Sequence, residues 1–319
     1  MNPKSNPSAP SWSKRVLAVL PLALLLTAVA ANAQFTEWSA PVNLGPAVNS
    51  GYLDSCVAIS KNGLSLFFSS NRQTDNADSL NRDLYVSRRE TVEDDWGPPV
   101  ALALLNTSAW ESCPALSLDE HRLYFTRPGS CGNRDVWVSP RQSRREDVIG
   151  WEPPVQLACA ADGEVNSPAH DQTPALFEDE SGKVLMYFAS SRSGAFAIYQ
   201  SELREDDTFG PATAVVGLNT STFESGPVVR RDGLEVIFQS ARDGFLFAFY
   251  VATRASTEDP WSEPVRIPTL GLGIGGRIAL SFDGRELYFT SARPGGNGYA
   301  DLYVARRERL HGKRYAKEE

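Results

Sequence analysis

Residues suited to metal or redox chemistry are scarce in this chain. Its 319 residues include four cysteines without a Cys-x-x-Cys pair, and three histidines scattered at His121, His170 and His311. That spacing argues against a zinc cluster, so no metal or other cofactor is expected. Gly-x-Ser-x-Gly, His-Glu-x-x-His and phosphate-loop motifs are absent, which removes the usual signatures of serine hydrolases, zinc peptidases and nucleotide hydrolases. Positive charge is in deficit. The formal net charge is −8, whereas a nucleic-acid binder needs a basic face to displace counterions from phosphates. Beyond residue 33 no apolar run approaches the roughly 20 residues that cross a bilayer, and no long helical period is present. What the chain does have is 42% hydrophobic residues, 24 glycines and 21 prolines. This supports a full core and excludes disorder, collagen and coiled coil.

Residues 1–33 read as a secretory signal. Lys4, Lys14 and Arg15 precede an apolar run from Val16 to Ala30, and Ala31-Asn32-Ala33 supplies the small residues of a cleavage site. The mature chain is expected to start at Gln34, to be a monomer without a membrane span, and to be periplasmic or secreted.

Internal repetition dominates the remainder. Trp38-Ser-Ala-Pro41-Val42 recurs at Trp96, Trp151, Phe209 and Trp261, at spacings of 58, 55, 58 and 52 residues. In step with it run a turn motif (Asn62-Gly63, Asp232-Gly233, Asp283-Gly284) and a closing element (Asp83-Leu-Tyr-Val, Asp135-Val-Trp-Val, Ala197-Ile-Tyr-Gln, Ala248-Phe-Tyr-Val, Asp301-Leu-Tyr-Val). Asn-Gly and Asp-Gly between β-branched and aromatic runs predict hairpins. Four short strands per unit, five times over, predict an all-β fold: a single five-bladed β-propeller over residues 34–307. The chain opens on a fourth-strand motif and ends on a third, so the N-terminal strand should complete the last blade beside Leu302–Ala305. Residues 308–319 form a charged tail, expected to be disordered.

Ser281-Phe-Asp283-Gly284-Arg-Glu-Leu-Tyr-Phe289-Thr-Ser291-Ala-Arg293, followed by Asp301-Leu-Tyr-Val304, resembles the TolB-type, WD-repeat-like propeller family. The resemblance covers nearly the whole mature chain. It implies a propeller fold. The namesake is a periplasmic component of a cell-envelope complex with six blades and a separate N-terminal domain, whereas five blades and no additional domain are counted here, so the resemblance implies the fold and not that role.

Topology places the connections between strands four and one on the same face as those between strands two and three. An acid recurs there at Asp54, Glu111, Asp171 and Glu224, five residues after Asn49, Asn106, Asn166 and Asn219. Blade five breaks the pattern with Gly275. Arg72, Arg127, Arg192 and Arg242, near the ends of the second strands, should neighbour these acids as intrablade ion pairs. Tyr52, Trp110, His170 and Phe223 lie beside the acids, and together they would form an aromatic and acidic ligand surface. Gly271, Gly273, Gly275 and Gly276 would leave blade five as an open wall. Cys131 and Cys159 fall in loops of this face and should pair. Cys56 and Cys113 hold identical positions in neighbouring blades, where the separation of the inner strands decides whether a bridge forms.

Two functions fit these residues. One is an exported, non-catalytic binding or scaffold protein whose partner is an envelope protein or a carbohydrate. The other is a carboxylate-based glycoside hydrolase, since five-bladed propellers include glycosidases with acids at the channel mouth. Asp54, Glu111, Asp171 and Glu224 would then supply the acid and base.

Overall fold

The structure, a computed structural model, describes residues 34–72, 81–159 and 164–310. The expected signal segment, 1–33, and residues 311–319 of the expected tail lie outside these. Residues 37–308 form one compact unit. A second comprises the outer segments, where among the described residues Phe35 bridges to Arg309 and the Leu310 N–H donates to the Gln34 carbonyl.

The 37–308 unit contains five four-stranded antiparallel sheets. The opening strand is β1 (Val42–Asn43). Blade I follows with β2 (Asp54–Ile59), β3 (Ser65–Ser70), β4 (Asp83–Arg88) and β5 (Val100–Ala101), and blade II with β6 (Ser112–Leu116), β7 (Arg122–Arg127), β8 (Asp135–Pro140) and β9 (Val155–Gln156). Blade III holds β10 (Asp171–Glu178), β11 (Val184–Ser193), β12 (Ala195–Glu202) and β13 (Thr213–Ala214). Blade IV holds β14 (Glu224–Val229), β15 (Glu235–Ser240), β16 (Ala248–Thr253) and β17 (Val265–Arg266). Blade V has β18 (Ala279–Leu280), β19 (Glu286–Ser291) and β20 (Asp301–Arg306), and is completed by β1. Val42 pairs with Val304 and Asn43 with Tyr303, which closes the ring as the motif order predicts.

The hairpin glycines Gly63, Gly233 and Gly284 sit at φ of 72–75°, where other residues are strained. Each blade is flanked on both sides, so its middle strands carry buried apolar residues on both faces. Five buried clusters result, each joining two neighbours. One, for example, packs Leu66, Phe68 and Tyr85 of blade I against Tyr288 and Val304 of blade V. The repeated tryptophan is held by an arginine that follows the third strand. Arg89, Arg141, Arg254 and Arg307 lie 4.2–4.4 Å from the ring centres of Trp96, Trp151, Trp261 and Trp38. Each also donates from Nε to a backbone carbonyl of its blade's first hairpin.

Candidate functional site

The first strands of successive blades contact one another around the axis, so their N-terminal ends share one mouth. The four repeated acids stand at those ends, and all are 0% exposed. Asp54 pairs with Arg72 at 2.6 Å and Asp171 with Arg192 at 2.8 Å. Glu111 and Glu224 meet Arg127 and Arg242 at 3.9 and 3.8 Å. Each carboxylate also accepts the N–H and hydroxyl of the residue four positions back: Ser50, Thr107, Ser167 or Thr220. The acids therefore fold the loops that enter each blade. Burial pushes the Glu111 carboxyl above its ordinary pKa, against the opposing pull of Thr107 and Arg127.

The preceding asparagines lace neighbouring elements together. Asn49 accepts from the Leu302 N–H and donates to its carbonyl; Asn106, Asn166 and Asn219 do the same for Leu84, Val136 and Ile198. In blade V, where Gly275 replaces the acid, Arg293 still donates to the Leu270 carbonyl and lies over Tyr303.

At the rim itself, residues from two loop sets alternate. The residue before each acid (Leu53, Trp110, His170, Phe223 and, in blade V, Ile274) is partly exposed. Between them stand the residues preceding the third-strand motif. The Arg82 carbonyl accepts from Glu111 N–H and the Arg134 carbonyl from Asp171 N–H, both at 2.7 Å. The blade III–IV side is an aromatic arc. His170 stacks on Phe196, which meets Phe223 at 5.5 Å, and Phe223 meets Phe247 at 5.1 Å. On the blade II–III side, Arg134 lies 5.7 Å from the Trp110 ring and donates to Gln172 at 2.6 Å. The mouth is thus aromatic and basic, with the acids beneath its surface. Tyr52 lies beside it, partly exposed, its carbonyl accepting the Tyr299 N–H. Arg82, Arg134, Phe196 and Phe247 are not part of the sequence expectation. They occupy one repeat position that varies from blade to blade, and that in-phase variation was the available signal.

Three residues inward from each rim residue, about 10 Å at strand rise, the inner strands reach Cys56, Cys113, Thr173, Gly226 and Arg277. The first four have φ of 54–60°. Cys56 and Cys113 are bridged with Cα atoms 4.5 Å apart, so the inner strands are close enough for the bond. Cys131 and Cys159 form the second disulfide. Arg277 is 6% exposed; it donates from Nε to the Pro174 carbonyl (2.7 Å) and from Nη1 to that of Val57 (2.5 Å), joining blade V to blades III and I. No carboxylate pairs with it among the described residues, and burial pushes its pKa down to about 9. Blade V is not an open wall. A Cβ on Gly273 would meet the Gln239 carboxamide at 2.1 Å, and one on Gly275 would meet the Phe247 ring at 2.6 Å, because those side chains fill the space the glycines leave. Among the described residues no group of His, Cys, Asp and Glu is placed to hold a metal, and no helix is long and apolar enough to cross a membrane.

No protein-family model and no curated protein matches the chain. Solved structures do. The catalytic domain of Coprinopsis cinerea GH62 alpha-L-arabinofuranosidase is 14% identical at a TM-score of 0.56, over 86% of this chain and 98% of that one. The endo-arabinase from Bacteroides thetaiotaomicron is 16% identical at 0.55, over 87% and 100%. TolB from Acinetobacter baumannii is 14% identical at 0.46, over 80% of this chain but only 54% of its own. At such identities the likeness is one of fold.

Proposed function

We propose that this chain is an exported, non-catalytic binding propeller that holds its ligand, a carbohydrate or a segment of an envelope protein, at the channel mouth. The observation that carries this reading is the full burial of all four repeated carboxyls, each committed to its blade's arginine and to a loop hydroxyl. Glycoside hydrolysis needs two carboxyls that reach the scissile bond from unlike environments. Repeated, occupied carboxylates serve the scaffold. Divergence between blades falls instead on the partly exposed rim, where a ligand would be selected. The signal-like leader and two disulfides support export.

The hydrolase reading draws on fold likeness to the arabinofuranosidase and the arabinase. Incubation of the purified protein with arabino- and xylo-oligosaccharides separates the two. No new reducing ends are expected, and turnover that vanishes in Glu111→Gln or Asp171→Asn would overturn the proposal. Binding should be lost in Trp110→Ala and Phe223→Ala with the melting temperature kept.

A further inference from the structure

The rim carries two cations that form no ion pair among the described residues. Arg82 and Arg134 precede the third strands of adjacent blades, on either side of Trp110, and neither pairs with a carboxylate among the described residues. The Nε of Arg82 is buried without a hydrogen-bond partner, and so is Nδ1 of His170. Burial, and then the neighbouring Arg134 charge, hold the Arg82 guanidinium below its ordinary pKa; burial does the same for Arg134. Deeper in the channel, Arg277 adds a third cation, held by the Pro174 and Val57 carbonyls and without a carboxylate partner among the described residues. A chain of net charge −8 gathers these charges at one opening while the repeated acids Glu111 and Asp171 beside them are turned to Arg127 and Arg192, and Asp135 accepts from the Cys131 and Gly132 N–H groups.

We propose that Arg82 and Arg134, flanking Trp110, bind a uronic acid residue of an acidic glycan, with its carboxylate between the two guanidinium groups and its sugar ring on the indole. The inference rests on the binding reading above and names the ligand class of that site. A planar carboxylate matches the guanidinium fork, and the C–H face of a sugar suits a large, amphipathic ring. The aromatic arc from His170 to Phe247 continues from the cations around the rim, and offers neighbouring sugar units further stacking surfaces. Local positive potential also draws an anionic polymer to a protein whose overall charge repels it.

Calorimetry with trigalacturonate, its methyl ester and a sulfated oligosaccharide lacking carboxylates tests this. Trigalacturonate is expected to bind more weakly as salt rises. The ester, Arg82→Gln and Arg134→Gln should each weaken binding at least about tenfold, the loss of a charge-assisted hydrogen bond. Melting temperatures report that the variants are folded. Equal affinity for the ester, unchanged affinity in folded arginine variants, stronger binding of the sulfated sugar, or no binding of trigalacturonate would each overturn the assignment. Failure of the underlying reading looks different. Cleavage of trigalacturonate that depends on Arg82 and Arg134 would remove the non-catalytic role and keep the uronate site. Glycan binding that needs Trp110 and Phe223 but not the arginines would keep the binding role and remove the uronate.

Discussion

Asp171 and Glu111 hold the same position in adjacent blades, yet their electrostatic balance differs. Asp171 meets its arginine at 2.8 Å, whereas Glu111 stands 3.9 Å from Arg127. At Glu111 burial outweighs the favourable contacts and raises the carboxyl pKa. The folded protein therefore keeps this proton at pH values where the unfolded chain, near 4.3 for glutamate, has released it. Glu111 thus favours folding below about pH 4.3, and that contribution is lost as pH rises through the folded value. Glu111→Gln imitates the protonated form. Thermal melts across acid to neutral pH should show the wild type losing ground to this variant as pH increases; a gain would contradict the assignment. Asp171→Asn should behave differently. It leaves Arg192 without its carboxylate, and should lower stability at neutral pH by about 3 kcal/mol, the range for breaking a buried pair.

At the scale of elements, the two disulfides tie different kinds of segment. Cys56–Cys113 joins two inner strands and is 2–5% exposed. Cys131–Cys159 joins loops at the blade II–III side, with Cys159 exposed. Reductant should therefore open Cys131–Cys159 in the folded protein and reach Cys56–Cys113 only on unfolding, an order that timed alkylation and mass spectrometry can read. Simultaneous reduction would mean the inner strands separate readily. Loops of 28 and 57 residues correspond to about 4 kcal/mol each in the chain-entropy model. The elements themselves were legible because turn chemistry and strand composition recur five times. Even the Cys131–Cys159 pairing followed from the face that its loops share. The mouth was less legible. Reading repeats in register draws the eye to positions that recur, such as Asp54 and Glu111, and these turn out to fold the loops. Arg82 and Arg134 share a repeat position that becomes Phe196 and Phe247 in the next two blades, and Arg277 stands where the other blades have Cys, Thr or Gly; only the side-chain packing shows that they stand at the mouth and within the channel. Gly273 and Gly275 misled for a related reason: a missing Cβ reads as open space, but Gln239 and Phe247 fill it.

At the scale of the 37–308 unit, the junction between the two ends of the chain is built like every other blade. Asn49 clamps Leu302 across the closure with the same two hydrogen bonds by which Asn106 clamps Leu84 within blade I. Ser39 N–H donates to the Arg306 carbonyl at 2.7 Å, so the chain ends that need joining already run side by side. The apolar cluster between blades V and I is of the same kind as the other four. If closure depends on these local contacts and not on where the chain is cut, its position can be moved. A permutant of 37–308, with residue 308 linked to residue 37 through a short Gly-Ser segment and new ends opened in the exposed turn 90–95, transfers the closure to blade I, where β4 must then capture β5. Moving a cut between exposed turns changes loop-closure entropy only slightly. The permutant is expected to remain monomeric by light scattering and to melt within about 5 °C of the parent, a difference of roughly 1–2 kcal/mol at this size. Aggregation, or a loss of much more than that, would mean that the β1–β20 junction carries a stabilisation the other blades lack.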